Sequence, residues 1–208
     1  TGLLLDALMG KEAIPWFEEE ELREVLRSHA REGTTEVGHV EATGALNFLA
    51  LDDLPVRDEG EPLDPASVIR VPFRDGRPVL PAFRRVPDDP FLRAIAAPGR
   101  KWIVLADEAD EPGLVLNAHE FLRAALFGGE FFSPLASCHR PLVVRRPEEP
   151  LGHALARLTV RPDGPGDDVV DEDLILVWTD RQRRMITGSD LLGRLLRGIA
   201  RSVPAGGA

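Results

Sequence analysis

The chain has 208 residues, 43% of them hydrophobic, and a formal net charge of −10 at pH 7. This length suffices to bury a core in one or two small domains. The single cysteine, Cys138, excludes an internal disulfide, and the acidic balance argues against nucleic acid, whose phosphates need a basic footprint. No apolar run approaches the roughly 20 residues of a membrane-spanning helix. Asp6 interrupts the only N-terminal apolar cluster, so no signal peptide is recognised.

The negative charge is concentrated in the first third of the chain. Residues 1–65 contain sixteen Asp and Glu against five Lys and Arg, whereas the rest contains nineteen against twenty. Apolar residues recur at helical spacing over 22–30 and over 40–50, with a Gly-Thr-Thr break at 33–35 between them. We therefore predict an acidic helical segment over residues 1–53.

The acidic cluster Glu18–Glu21 allows two interpretations. Acidic side chains near a helix N-terminus interact favourably with the helix dipole, which would make the cluster a solvated first turn. Alternatively, carboxylates of neighbouring helices form a diffuse surface for a divalent cation, since Mg²⁺ is commonly held by one or two carboxylates and water. Residue types alone favour the solvated turn.

An internal repeat follows a linker, rich in acid and proline, over residues 54–66. Residues 67–136 and 137–203 each show the order strand, proline-introduced helix, strand, turn, strand, helix. The apolar strand Trp102–Leu105 corresponds to Leu174–Val177. Two such units usually pack together, because neither closes a core alone. The predicted fold is therefore α+β, with an N-terminal acidic helical segment followed by tandem βαββα motifs.

The segment Thr187-Gly188-Ser189-Asp190 lies between the last strand and the last helix. A helix start offers unpaired backbone N–H groups and the positive end of the helix dipole, which suit a phosphate. The Thr187 hydroxyl can donate and accept, and the Asp190 carboxylate can accept from two ribose hydroxyls. The same residues also suit a helix cap, in which Thr187 caps through its side chain and Asp190 closes a capping box. On these residues alone the cap is the commoner arrangement.

The order and spacing of the two motifs resemble a CBS-domain pair, or Bateman module. Met185–Asp190 lies where that family has Gly-Ile-Val-Thr-x-x-Asp. Glu18–Leu26 and Leu46–Asp53 are similar to the acidic helical linker of the CNNM/CorC (HlyC/CorC) magnesium and cobalt transporter family. Arg140–Val144 is similar to the start of that family's second CBS motif. The resemblance covers nearly the whole chain.

The resemblance implies a cytosolic regulatory region, on the cytoplasmic side of the cell membrane, of an ion transporter. The membrane domain would precede Thr1, with Leu3–Gly10 as its trailing segment. The CBS pair would bind the adenine nucleotide ATP, together with Mg²⁺, and would form a homodimer through the CBS motifs. The implied nucleotide-binding residues are Thr187, Asp190 and Ser189, and no metal-ligating residues are expected. The acidic helices, which by this resemblance would sense cations, would relay the bound state to the membrane domain.

The sequence departs from the family pattern in both motifs. In the first, Leu116 and His119 take the places of the threonine and the aspartate, so one nucleotide per chain is expected. In the second, the turn Thr179–Arg184 replaces a glycine-containing turn, and an acidic insertion rich in Gly and Pro spans 161–173. The arginines of the turn either pair with phosphates or form a solvated basic turn; they are Arg181, Arg183 and Arg184.

No catalytic constellation emerges from the sequence. The chain has no Gly-x-Ser-x-Gly elbow and no P-loop, and the adjacency of Cys138 and His139 does not identify a nucleophile. We therefore do not expect an enzyme. Two other functions stay open: a sensor of AMP or another adenosine ligand for a different effector, and a dimerisation scaffold whose nucleotide site has decayed.

Overall fold

The computed structural model describes residues 19–32, 38–158 and 174–199. These residues form two compact units: one is Leu51–Leu192, and the other combines the described residues of Thr1–Ala50 and Gly193–Ala208. Several sequence predictions lie outside the described residues: the segment Leu3–Gly10, Glu18, the break at 33–35 and the insertion at 161–173.

Six α-helices are described, and each falls in a region where the sequence predicts one. Their bounds are α1 Glu19–Glu32, α2 His39–Asp52, α3 Pro90–Ala96, α4 Ala118–Phe127, α5 Leu151–Leu155 and α6 Gly188–Leu195. The start of α3 shows why the chain becomes helical there. Asp89 accepts hydrogen bonds from the N–H groups of Phe91 (2.9 Å) and Leu92 (3.3 Å), while Pro90 supplies a helical φ at the first position. A further hydrogen bond, from the Arg84 N–H, is the main cause that lowers the pKa of Asp89.

In the described residues, ten short strands build two four-stranded sheets and one hairpin. They are β1 Glu61–Pro62, β2 Val68–Arg70, β3 Phe73–Arg74, β4 Arg77–Pro78, β5 Trp102–Ala106, β6 Pro112–Asn117, β7 Cys138–His139, β8 Leu142–Val144, β9 Ile175–Trp178 and β10 Arg183–Ile186. The sheet orders are β2-β5-β6-β7 and β1-β10-β9-β8, and β3 pairs with β4. In each sheet the opening strand of the motif runs parallel to its first central strand, and the other pairs are antiparallel.

The two motifs exchange their edge strands. Strand β1, which precedes the first motif, pairs with β10 of the second motif, and Glu61 lies opposite Met185. Strand β7, at the very start of the second motif, pairs with β6 of the first, and Cys138 lies opposite Leu116. Each sheet is therefore completed by the segment leading into the other motif, so neither sheet has its full set of strands without both halves of the repeat.

The central strands are buried on both faces, which explains why β5 and β9 are continuous apolar runs rather than alternating ones. In β5, Ile103 and Leu105 pack with Phe121 of α4 and the rest of a helix-covered cluster. Val104 points to the other face and packs in a second cluster, where it joins Leu174, Leu176, Trp178 and Met185 of the second motif. The core of this unit thus lies between the two sheets as well as beneath the helices.

The observed architecture confirms the predicted fold class. The chain is α+β, with two helices followed by two copies of a βαββα unit, as its sequence pattern indicates. The hairpin Phe73–Pro78 is an addition within the first copy, and the left-handed conformations of Asp75 (φ 49°) and Gly76 (φ 72°) form its turn.

Candidate functional site

A cleft of about 380 Å³ lies in the unit Leu51–Leu192 and is lined by both motifs and by the linker before them. Its lining residues come from three segments: the linker (Glu61, Pro62, Leu63, Asp64, Ser67), the turn before β5 and its first residue (Gly99, Arg100, Lys101, Trp102), and the end of β10 with the start of α6 (Met185, Thr187, Ser189, Asp190). All three residues predicted from the sequence to bind a nucleotide therefore lie on one cleft.

The second-motif wall of the cleft is built on the start of α6. The N–H and the hydroxyl of Thr187 both donate to Oδ2 of Asp190, each at 2.8 Å, and the Asp190 N–H lies 3.4 Å from the Thr187 hydroxyl oxygen. This is the reciprocal geometry of a capping box. The cap interpretation is thus realised in the structure, and the cap also fixes a hydroxyl and a carboxylate at the cleft.

The cap leaves acceptor capacity at the cleft. Among the described residues, both hydrogen bonds to the Asp190 carboxylate fall on Oδ2, and a carboxylate has four lone-pair positions on its two oxygens. Asp190 can therefore accept hydrogen bonds from a ligand without giving up the cap. Ser189, between the two, is exposed and adds a second hydroxyl to the same wall.

The first-motif wall carries positive charge next to an aromatic ring. Gly99 adopts φ 62°, a conformation that glycine reaches without strain, and turns the chain from the end of α3 towards β5. Arg100 and Lys101 follow and are both exposed. The Lys101 ammonium lies 4.6 Å from the centre of the Trp102 ring, a cation–π distance, and Trp102 meets the His139 ring edge-on at 5.1 Å.

The linker forms the remaining wall. Glu61 is exposed, and Asp64 accepts a hydrogen bond from the Ala66 N–H at 2.9 Å, which caps a short 3₁₀ turn, Pro65–Ser67. Ser67 is 1% exposed, and its hydroxyl oxygen has no hydrogen-bond partner in the described part of the chain. A buried hydroxyl without a partner is energetically unfavourable.

The arginines of the β9–β10 turn do not line this cleft. Arg183 pairs with Asp110 and lies over the Trp178 ring, 4.2 Å from its centre. Arg184 donates to the carbonyl oxygen of Glu59 at 2.9 Å and also to that of Gly60. The position of this turn therefore gives no support to its interpretation as a phosphate contact. The basic residues that do line the cleft are Arg100 and Lys101, which belong to no motif recognised in the sequence.

The repeat alignment used for the first motif was wrong by one residue. In the first sheet Asn117 lies opposite Trp102 and is followed directly by α4. In the second sheet Ile186 lies opposite Ile175, and Thr187 is followed directly by α6. The residue of the first motif that corresponds to Thr187 is thus Asn117, not Leu116.

The same shift moves the acidic position of the first motif. Glu120, not His119, corresponds to Asp190, and its N–H donates to the Asn117 side chain at 3.3 Å. Asn117 is 3% exposed and serves as the N-cap of α4. The first motif therefore retains a polar cap pair, and its departure from the family pattern is smaller than the sequence alignment indicated.

Several acidic side chains in the described part of the helical unit lie in ion pairs with arginines. On α1, Glu19 pairs with Arg23, and Arg27 lies 3.4 Å from Glu20 and 3.3 Å from Glu24. No group of three or more His, Cys, Asp or Glu among the described residues could hold a metal ion. Burial raises the pKa of the Cys138 thiol to about 11, which disfavours the nucleophilic thiolate at neutral pH. No helix in the described ranges is long and apolar enough to cross a membrane.

No known protein-family model matches the sequence, and no curated protein matches it. The fold is similar to two solved structures of the CBS domain of the bacterial CNNM/CorC family Mg²⁺ transporter. The first, in complex with an inhibitor, has a TM-score of 0.54 at 14% sequence identity and covers 88% of this chain and 100% of that chain. The second has a TM-score of 0.51 at 17% identity and covers 88% and 99%. This chain therefore has the fold of the CBS domain of the CNNM/CorC family Mg²⁺ transporter, the family that its sequence resembles.

Proposed function

We propose that the chain is a cytosolic regulatory region of a CNNM/CorC-like Mg²⁺ transporter, which binds ATP in its CBS pair and thereby controls ion transport by an associated membrane domain. The fold supports the regulatory part of the proposal, since the similar solved domains belong to Mg²⁺ transporters. The observation that carries the nucleotide part is the shared cleft, at which Thr187, Ser189 and Asp190 meet residues of the other motif.

The chemistry of the cleft suits a nucleoside. The Asp190 carboxylate can accept hydrogen bonds from ribose hydroxyls, and the bonds from Thr187 fix its position. Mg²⁺ would be held mainly by phosphate oxygens and water, with Glu61 and Asp64 as the carboxylates available in the linker wall. This arrangement does not require a metal site built from protein groups alone.

Regulation requires that ATP distinguish two arrangements of the protein. A ligand shifts an equilibrium only by its differential affinity for the two states. Since the cleft is lined by both motifs and the linker, the contacts available to a ligand depend on how these three segments pack. Binding would thereby favour one packing, which the acidic helices would transmit to the membrane domain.

Calorimetric titration with ATP, with and without Mg²⁺, tests the proposal on the parent chain and on Asp190→Ala. We expect one site per chain and a loss of about 1.5–3 kcal/mol of binding free energy in the variant, as for a hydrogen bond to a charged group. The matched control is Glu120→Ala, which changes the corresponding carboxylate of the first motif, outside the cleft. Thermal unfolding of both variants separates loss of the ligand contact from loss of the helix cap.

Three outcomes decide among the functions. Saturable ATP binding that is lost in Asp190→Ala and retained in Glu120→Ala supports the proposal. Tighter binding of AMP than of ATP would replace it by an AMP sensor. No binding of either nucleotide would refute it and leave a dimerisation scaffold, in which Thr187 and Asp190 serve only as a helix cap.

The proposal includes a homodimer formed through the CBS motifs. Two large apolar side chains on the closing helices of the motifs support it: Phe127 of α4 is 83% exposed and Leu192 of α6 is 56% exposed. Helices that leave such side chains in water gain free energy when a second copy covers them.

A further inference from the structure

We propose that Arg100 and Lys101 hold the phosphate chain of the ligand, so that the cleft is specific for a nucleoside polyphosphate whose ribose is held by Thr187 and Asp190. This inference rests on the proposed function, since it assumes a nucleotide in the cleft. It adds a phosphate subsite from the first motif, in a part of the chain that carries no recognisable nucleotide motif.

The two cations are available for a ligand. Both side chains are exposed at the cleft, and neither has a carboxylate partner among the described residues. The Lys101 ammonium contacts the face of Trp102, which orients it without neutralising its charge. An arginine can bind phosphate oxygens through two parallel N–H bonds, and a lysine adds a compact positive charge.

Two basic groups of the second motif, Arg183 and Arg184, are already engaged and do not line the cleft. Arg183 is paired with Asp110, and Arg184 is bound to two backbone carbonyl oxygens, Glu59 O and Gly60 O. If Arg183 or Arg184 moved to bind a ligand, it would lose these bonds to the protein. Arg100 and Lys101 are the two positively charged residues among those that line the cleft.

The distribution of charge in the cleft orients the ligand. The start of α6 presents the Asp190 carboxylate, which repels phosphate and attracts hydroxyl groups. The turn before β5 presents two cations, which attract phosphate. A nucleotide with its ribose at the start of α6 and its phosphates at the turn before β5 matches both charges. Such a nucleotide bridges the two motifs. The cleft volume of about 380 Å³ lies within the roughly 300–1,000 Å³ common for small-ligand sites.

The test is a titration series with adenosine, AMP, ADP and ATP against three proteins. They are the parent chain, the double variant Arg100→Gln/Lys101→Gln, and the control Arg93→Gln/Arg123→Gln, which removes two exposed positive charges from α3 and α4 outside the cleft. Affinity of the parent should rise with phosphate number. In the cleft variant ATP affinity should fall at least about tenfold while adenosine affinity changes less than about twofold. The control variant should bind adenosine, AMP, ADP and ATP with the same affinities as the parent.

The results separate failure of this inference from failure of the proposed function. If adenosine and ATP bind the parent but the cleft variant keeps the full rise with phosphate number, the phosphates lie elsewhere and the inference is wrong. An equal fall for adenosine and ATP would also overturn it, because it would indicate a general distortion of the cleft. If none of the four compounds binds the parent, both the proposed function and the inference fail. The variant Lys101→Arg changes the shape of the side chain but keeps its charge, and it should still bind ATP. Retained binding would show that the loss in the cleft variant comes from lost charge rather than from altered shape.

Discussion

Asp110 makes side-chain and backbone contacts that join the two motifs. It occupies the turn between β5 and β6 in a left-handed conformation, with φ 66°. One carboxylate oxygen accepts from Arg70 at 2.7 Å and the other from Arg183, while its carbonyl oxygen accepts from the Trp178 ring N–H at 3.0 Å. Asp110 thus links β2 of the first motif to β9 and β10 of the second. Desolvation acts to raise the pKa of Asp110, but the bonds from Arg183 and Arg70 outweigh it and lower that pKa.

The lowered pKa predicts a pH dependence of stability. The native state binds this proton less readily than the unfolded chain, so the contribution of Asp110 is fully present above the unfolded pKa of about 4 and is lost as pH falls below it. Asp110→Asn, which tolerates the same backbone conformation, should lower the free energy of unfolding at pH 7 by about 1 kcal/mol, because the pairs are partly exposed. Urea unfolding at pH 7 and pH 3 should show the difference shrinking at low pH.

The control for Asp110 is Asp88→Asn, which changes an exposed carboxylate on the surface. It should leave the free energy of unfolding unchanged at both pH values. If Asp110→Asn has the same stability as the parent at pH 7, the ion pairs do not stabilise the contact between the motifs.

Removing the Ser67 hydroxyl should raise the stability of the chain, whereas Asp110→Asn should lower it. Its hydroxyl is buried and has no hydrogen-bond partner in the described part of the chain. Ser67→Ala removes that polar atom and should raise the free energy of unfolding by about 1 kcal/mol, measured by urea unfolding. Ser133→Ala, at an exposed position, should have no effect. A loss of stability in Ser67→Ala would mean that the hydroxyl is satisfied in solution.

At the scale of elements, the long apolar strands and periodic helices could be predicted from the sequence, whereas the edge strands could not. β5 and β9 are recognisable because burial on both faces requires continuous apolar residues. β1 and β7 each contain two residues, and they are strands only because they pair with the other motif's sheet. No local pattern of two residues encodes such a pairing.

Part of the candidate site could likewise be predicted from the sequence, and part could not. The Thr187–Asp190 pattern was visible because a capping box has a local signature. The pattern Asn117-x-x-Glu120 carries a comparable signature, and matching the two caps gives the register of the repeats that the structure shows. Arg100 and Lys101 reach the cleft through tertiary packing, so the sequence around them contains no signal for the site.

The pairing of β1 with β10 depends on Gly60. This residue has φ 69°, and a β-carbon there would lie 2.1 Å from the carbonyl oxygen of Met185 and 2.8 Å from a side-chain carbon of Ile186. Gly60→Ala should therefore destabilise the chain by about 1–3 kcal/mol or more and displace β1 from the cleft. Thermal unfolding measures the loss. Gly129→Ala, where a β-carbon would meet open space, should be neutral. Equal stabilities of the two variants would show that β1 is not held in this pairing.

At the scale of the molecule, the two copies of the βαββα unit form one structure rather than two adjacent ones. They share edge strands, a core between their sheets and the contacts of Asp110. The cleft is a consequence of this arrangement, because its walls belong to both copies and to the linker. Loss of packing between the copies should therefore remove the site even where every lining residue is intact.

The exposed side chains of the closing helices carry the last prediction. If Leu192 and Phe127 are covered by a second copy, a glutamate at either position would have to bury a charge in an apolar contact, which is strongly unfavourable. Leu192→Glu and Phe127→Glu should each weaken dimerisation at least about tenfold, measured by sedimentation velocity over a range of concentrations. Val79→Glu places the same charge at a partly exposed valine outside the helices and should leave the dimer intact. A parent chain that sediments as a monomer at all concentrations, or a dimer unaffected by both helix variants, would refute assembly through these helices.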